Sequence, residues 1–296
     1  MPDIARKTIS ATEAPALWNV SPYLTRWMLF KRFRDGMNVD SEPDERMSWG
    51  TKMEPLLLEQ ASQDLKMEVI PNKGERTYVR RGLLGCTRDA IVICPDRGPG
   101  TLETKCVFDY RTWMDKWQGG EAPPRHYEIQ TQVQMQVGNP DGEPYKWGVI
   151  AAWLGGEMHY FERQPIPELW TALETEAAQF MADVAAGKEP DPFGHPIEIP
   201  ALSLIERVAE KAITVDDAEL AQLARAYAEA GDIVSAGNKR RDEIKARLLA
   251  VAGDAEIVRL PGGVSVKVRR QTRGAYEVKE STFAVVKVHV PNEGVE

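Results

Sequence analysis

The chain has 296 residues, of which 37 are basic and 45 acidic, giving a formal net charge of −8 with 43% hydrophobic and 28% charged residues. That composition excludes a disordered or fibrous chain, and the length can bury a substantial core without disulfide or metal staples. The acidic balance excludes a histone-like coat of bulk positive charge, but it leaves room for a local basic cleft.

Three cysteines, Cys86, Cys94 and Cys106, form no C-x-x-C pair, and the four histidines (His126, His159, His195, His289) form no H-x-x-x-H. This pattern reads as reduced, core-packed thiols rather than a disulfide framework, an iron-sulfur site or a zinc hydrolase. The first residues lack an apolar signal region and no run approaches 18 apolar residues, so a cytoplasmic chain without a membrane span is expected.

In chain order, the apolar spacing over 12–33, broken by Ser21-Pro22-Tyr23, predicts two short helices, the second capped by Ser21 with Pro22 in its first turn. Trp49, Met53, Leu56, Leu57 and Leu65 predict an amphipathic helix from Ser48 to about Leu65. Runs over 77–84, 89–94 and 101–107, separated by Gly85 and by the turn 95–100, predict a β-meander. A glutamine-rich helix follows over 127–137. Two runs, 147–154 and 158–161, flank Gly155-Gly156 as a hairpin. Steps of three and four from Ile166 to Val184 predict a helix ending at Gly187. The expected architecture is therefore an α/β core over 1–190, a Pro-rich linker over 191–200 and an appendage over 201–296.

The appendage carries heptad-like apolar spacing from Leu220 to Val251, with Gly237 and Arg241 on the seam. It predicts a long helix or helical hairpin, with Gly231 and Gly237 as the points where it would kink, followed by two β-runs around Pro261-Gly262-Gly263. Residues 235–273 hold ten basic and four acidic side chains, a local +6 that leaves −14 for the rest. Lys239, Arg240 and Arg241 are the candidates for contact with a nucleic-acid backbone; the plainer reading is a solvated helix face.

The residues with chemistry centre on 85–105. On a strand Glu103 and Lys105 project to one face, and an antiparallel preceding strand would bring Asp89 beside them. Two carboxylates and an ammonium at one sheet edge call for a hard divalent cation bound through oxygen, Mg²⁺ or its substitute Mn²⁺ rather than Zn²⁺. The lysine would orient or deprotonate a water for attack on a phosphodiester.

Asp89 followed by Glu103-Thr104-Lys105 resembles the D…E-x-K core of the PD-(D/E)XK nucleases. Trp49-Gly50-Thr51-Lys52-Met53-Glu54, Tyr127-Glu128-Ile129-Gln130-Thr131-Gln132, and Ser10-Ala11-Thr12-Glu13-Ala14 with Ser21-Pro22-Tyr23 resemble, in the same order, segments of the phage lambda exonuclease and YqaJ viral recombinase family. The resemblance spans about residues 6–185. It departs at Arg88, where the family usually has Pro, at Ala90, where it usually has Gly, and at Thr12, where it usually has Ser. It implies a restriction-endonuclease-like core, a mixed central sheet flanked by helices. Glu54, Asp89, Glu103 and the Thr104 carbonyl would hold the metal, Lys105 would position the water, and Gln130 and Tyr127 would stand at the site edge. Arg6 or Lys7, with Thr12, would grip a terminal 5′-phosphate.

The expected activity is a Mg²⁺-dependent 5′ to 3′ exonuclease on double-stranded DNA ends, leaving 3′ overhangs for phage-type recombination in a bacterial cytoplasm. The resemblance also implies a homo-oligomeric ring, a trimer, and a single-strand annealing protein as partner. The alternatives are a structure-specific or nicking endonuclease on the same core, and a non-catalytic DNA-binding module. Taken singly, Glu54 also reads as a glutamate favoured by its helix dipole and Lys105 as a strand-edge lysine. Gln130, Gln132, Gln134 and Gln136 alternate at two, so most of them are expected at the solvent. Trp113 and Trp117 are expected mainly in the core, with base stacking as the alternative role.

Overall fold

The structure is a computed structural model that describes residues 8–37, 45–72, 78–138, 143–205, 207–272, 274 and 284–289. By compactness the chain divides into two units, Met1–Leu202 and Ser203–Glu296.

The first unit opens with a short strand β1 (Ile9–Ser10), a 3-10 turn over Ala14–Trp18 and helix α1 (Arg26–Asp35). Helix α1 begins later than the sequence pattern suggests. Asn19 adopts a left-handed conformation (φ 55°), its Oδ1 accepts the Arg26 amide at 2.7 Å, and Ser21 Oγ accepts the Tyr23 amide at 3.2 Å, so 19–25 is a hydrogen-bonded loop. The cap is Thr25, whose hydroxyl accepts the Met28 amide at 3.3 Å.

Helix α2 (Glu45–Leu65) starts three residues before the expected Ser48 and runs through Pro55. Strands β2 (Glu68–Pro71), β3 (Val79–Arg81), β4 (Leu84–Cys86), β5 (Ala90–Cys94) and β6 (Gly98–Val107) follow, then α3 (Tyr110–Lys116), α4 (Arg125–Val137), β7 (Gly148–Leu154), β8 (Glu157–Arg163) and α5 (Pro167–Ala186). As its sequence indicates, α5 carries Pro167 in its first turn and stops at Gly187, where φ is +71°.

The main sheet has the order β2-β5-β6-β7-β8 and is mixed. The pair β6–β7 is parallel and the other neighbours are antiparallel. A parallel pair needs a crossover, and α3 and α4 provide it. Strand β7 is apolar on both faces because both are covered: Val149 and Ala151 pack with Leu58 and Ala61 of α2, while Ile150, Ala152 and Leu154 pack with Trp117 and Tyr127. A third cluster joins the N-terminal segment to α1, α4 and α5 through Trp27, Phe30, Val133, Leu173 and Phe180. Beside it lies a small sheet in which β4 pairs with β1 in parallel and with β3 antiparallel.

The expected linker is partly built into this unit. A 3-10 turn Pro196–Glu198 leads into α6 (Ile199–Ser203). Glu198 is fully buried and accepts hydrogen bonds from the Thr25 hydroxyl at 2.5 Å and from the Phe193 and Gly194 amides at 3.1 and 2.8 Å.

The second unit contains α7 (Ala218–Ala252) and the antiparallel pair β9 (Ile257–Arg259) and β10 (Ser265–Lys267). Asp217 caps α7 by accepting the Glu219 and Leu220 amides at 2.9 and 3.0 Å. The helix continues through Gly231 and Gly237 as one element. Among the described residues no helix is long and apolar enough to cross a membrane.

Candidate active site

The site stands where β5 and β6 pair. Their register sets Ala90 opposite Leu102, which puts Asp89 at the level of Glu103, as antiparallel pairing requires. The Asp89 carboxylate accepts the Thr104 amide at 2.8 Å and the Thr104 hydroxyl at 2.9 Å.

Asp89 has Arg88 before it and Ala90 after it where the resembled family has Pro and Gly, and other bonds fix the turn. The Asn72 amide donates to the Asp89 carbonyl at 2.9 Å and the Asn72 side chain to the Arg88 carbonyl at 2.9 Å. The Arg88 guanidinium is buried, donates to the Gly138 carbonyl and lies over the Tyr145 ring at 5.4 Å. A side chain absent from the motif thus anchors the loop that presents the aspartate.

Glu103 is 4% exposed, so its charge requires local partners. One oxygen accepts from the Lys105 ammonium and from Gln130 Nε2 at 2.5 Å; the other accepts from Gln134 Nε2 at 2.6 Å. Burial raises the proton affinity of this carboxyl, and neighbouring Asp89 raises it further, against the opposing pull of Lys105 and Gln134. Lys105 is raised as well: burial disfavours its charge, but the negative potential of Glu103, Tyr127 and Asp89 outweighs it. The lysine is accordingly a cation, and it faces the Tyr127 ring at 4.8 Å.

Tyr127 is raised by burial, with a hydrogen bond to Tyr23 acting in the same direction. Its ring packs on Trp117 at 5.5 Å and on His126 at 4.0 Å. Burial, with the cations Lys105 and Lys116, lowers the His126 imidazole to about 4, so it is neutral near pH 7.

The structure brings Asp89, Glu103, Thr104, Lys105, Tyr127 and Gln130 together. Glu54 is half-buried on α2 and does not join the acid pair: among the described residues, no three His, Cys, Asp or Glu side chains are placed to hold a metal ion. The buried positions of α2 begin at Leu57, so the turn carrying Glu54 precedes the packed part of the helix. Thr12 is exposed, and its hydroxyl lies 3.0 Å from that of Ser10. Arg6 and Lys7 lie outside the described residues. Lys239, Arg240 and Arg241 are exposed on α7, within the second unit.

The glutamines overturn the expectation of a solvated set. Gln130, Gln132 and Gln134 are at most 5% exposed. Gln132 does not face Glu103; it donates to the Gln164 carbonyl at 2.8 Å and accepts the Ile166 amide at 2.9 Å, fixing the start of α5. Gln134 was hidden by the alternation at two, although its distance of four from Gln130 is the spacing of one helix face. Cys86 and Cys94 are buried, and burial pushes the Cys86 thiol up to about 12, as befits a core thiol. Trp117, 1% exposed, is also core.

The donor set of the acid pair fits a hard dication: its side-chain ligands are carboxylate oxygens, and a cation would offset the burial, and secondly the Asp89 charge, that raise Glu103. A half-buried Asp89 and a buried Glu103 with a lysine two positions on, carried by a mixed sheet between helical layers, form the arrangement that the sequence's resemblance to the PD-(D/E)XK nucleases implies.

Residues 3–141 match the family model of the YqaJ-like viral recombinase domain. Among solved structures the chain is similar to the alkaline exonuclease LHK-Exo from Laribacter hongkongensis, at 18% identity and a TM-score of 0.48, covering 61% of this chain and 89% of that one. It is also similar to LHK-Exo in complex with dAMP, at 18% identity and a TM-score of 0.47 with the same coverage. A phage-related exonuclease from Haemophilus somnus 129PT follows at 11% identity and a TM-score of 0.43, covering 61% of this chain and 96% of that one. No curated protein matches the sequence.

Proposed function

We propose that the chain is a Mg²⁺-dependent exonuclease that enters double-stranded DNA ends and degrades them 5′ to 3′, leaving 3′ overhangs for phage-type recombination. The observation that carries this reading is the buried Glu103, held by Lys105, Gln130 and Gln134 beside Asp89.

Asp89 and Glu103 would hold the cation, with Glu54 and the Thr104 carbonyl as further ligands; when bound, the ion neutralises charge at the scissile phosphate. Lys105 is protonated, so its part is to donate: it orients the attacking water or a non-bridging phosphate oxygen and does not accept the water's proton in this state. Tyr127 backs the ammonium with its ring, while Gln130 keeps the Glu103 carboxylate turned toward the phosphate. Thr12, with Arg6 or Lys7, grips the terminal 5′-phosphate, and Lys239, Arg240 and Arg241 offer charge to the DNA backbone. The same reading includes a homotrimeric ring, a single-strand annealing partner and the bacterial cytoplasm as location.

The test digests a linear duplex, with or without a 5′-phosphate, in Mg²⁺ or EDTA, using wild type and Lys105→Ala. Expected is Mg²⁺-dependent hydrolysis by wild type, faster on the phosphorylated end, and none by the variant. Equal hydrolysis by both proteins overturns the site. Cleavage of a covalently closed circle would assign an endonuclease instead, and DNA binding in EDTA with no hydrolysis in Mg²⁺ a non-catalytic module.

A further inference from the structure

Helix α7 has 35 residues, about 52 Å at 1.5 Å per residue, and Ala252 is its one buried position. Its apolar side chains are nonetheless ordered along it. Leu220, Tyr227, Val234, Arg241 and Leu248 recur every seven residues. Leu223, Ala230, Gly237, Ile244 and Val251 recur every seven residues between them. This is a continuous a/d seam of five heptads, the pattern that seats one helix on another. Yet Leu223, Tyr227 and Val234 are 61%, 57% and 62% exposed. Two interior glycines, Gly231 and Gly237, each weaken an isolated helix by about 1 kcal/mol relative to alanine, so a partner on the stripe is what this length of helix calls for.

We propose that the stripe of α7 binds α7 of a second copy of this chain, with the two helices antiparallel. The seam itself sets the direction. In parallel pairing Arg241 meets Arg241 of the other copy inside the seam, Gly237 meets Gly237 and leaves a gap, and Arg240 flanks Lys245. Antiparallel pairing about a point between Ser235 and Ala236 removes all three defects. Leu220 then meets Val251, Leu223 meets Leu248 and Tyr227 meets Ile244. Val234 fills the space over Gly237, and Arg241 lies over Ala230, whose small side chain lets the guanidinium reach water.

The charges agree with this direction. Residues 218–234 carry Arg225 against Glu219, Glu229 and Asp232, a net −2. Residues 235–252 carry five basic side chains against Asp242 and Glu243, a net +3. Antiparallel helices lay the acidic half of each on the basic half of the other, and Glu219 faces Arg247 at a flanking position.

The test uses the full chain and needs no nuclease activity. With Leu220→Cys and Val251→Cys together, mild oxidation should give covalent dimers that wild type and either single variant do not form. Tyr227→Asp with Ile244→Asp should halve the mass measured by light scattering, whatever assembly the nuclease unit forms by itself. Where those aspartates melt the helix by circular dichroism, exposed charges decide instead. Glu219→Arg should weaken association by roughly threefold, and adding Arg247→Glu should restore it. Cross-linking by Leu220→Cys alone would make the pairing parallel and overturn the proposal. So would an unchanged mass in the aspartate variant; weakened duplex binding in that case would assign the stripe to DNA.

Discussion

Gln134→Leu removes one hydrogen bond from the centre of the proposed site while nearly preserving volume. Gln134 is fully buried and donates to Glu103 Oε2 at 2.6 Å, the oxygen that Lys105 and Gln130 do not hold. A hydrogen bond to a charged group contributes about 1.5–3 kcal/mol, equivalent to roughly 10- to 150-fold in an equilibrium constant. In the variant the ionised carboxylate costs that much more, so both the fold and cation binding should respond. The Glu103 pKa, already raised by burial and Asp89, moves further up. A raised folded pKa gives stability that is whole below the unfolded value and is lost as pH rises through the folded one. Without metal, the variant should therefore match wild type most closely in acid and fall behind it toward alkaline pH. With metal, the Mg²⁺ concentration for half-maximal hydrolysis of a phosphorylated duplex should rise tenfold or more. Gln136→Leu, at a half-buried position two residues on, is the control and should leave both unchanged. Thermal unfolding from pH 5 to 9 and a Mg²⁺ titration of single-turnover hydrolysis measure the two effects. If Gln134→Leu shows the wild-type pH dependence and the wild-type Mg²⁺ dependence, Gln134 does not hold the carboxylate in solution and the argument from Glu103 fails.

Asp89→Asn should raise the melting temperature of the metal-free protein, because it removes one of two neighbouring acids, and should abolish hydrolysis; a lower melting temperature would show that the pair is not mutually strained. Glu198→Ala strips Thr25, Phe193 and Gly194 of a buried acceptor and should cost roughly 3–4 kcal/mol in urea unfolding, whereas a loss below about 1 kcal/mol would mean that 193–198 is not docked in solution. His126, held near 4, contributes stability that is present above its ordinary pKa and is lost as pH falls through about 4, so His126→Phe should flatten the acid limb of the unfolding profile; an identical limb in both proteins would refute the buried neutral imidazole.

The central sheet and most helices were legible in the sequence because each had a local signature. Gly155-Gly156 marked the β7–β8 hairpin, where both residues have positive φ, and the acid-x-lysine triplet on one face of β6 followed from strand geometry. The misses had long-range causes. Ser21 was the expected cap of α1, and Thr25 takes its place because Asn19 accepts the Arg26 amide seven residues on and closes a loop through Ser21. Residues 191–200 read as linker because a buried carboxylate leaves no periodic trace; Glu198 is recognisable only once Thr25 faces it. The glutamine helix failed for a different reason. A period of two looks amphipathic in neither direction, but a helix packed on several sides buries polar residues wherever each finds its own partner. Gln130 and Gln134 turned to Glu103 while Gln132 turned to the chain entering α5.

The same point applies to the acidic net charge. A −8 chain is a poor phosphate binder on average, yet its proposed site concentrates negative charge further, placing a buried glutamate against an aspartate. On the proposed function, such a site would resist phosphate until a cation entered, coupling metal binding to substrate binding. Arg88 fits this logic. It is the buried cation nearest Asp89 along the chain, but its charge is directed to the Gly138 carbonyl and the Tyr145 ring. The arginine that stands where the resembled family has proline therefore supplies rigidity to the turn that presents Asp89.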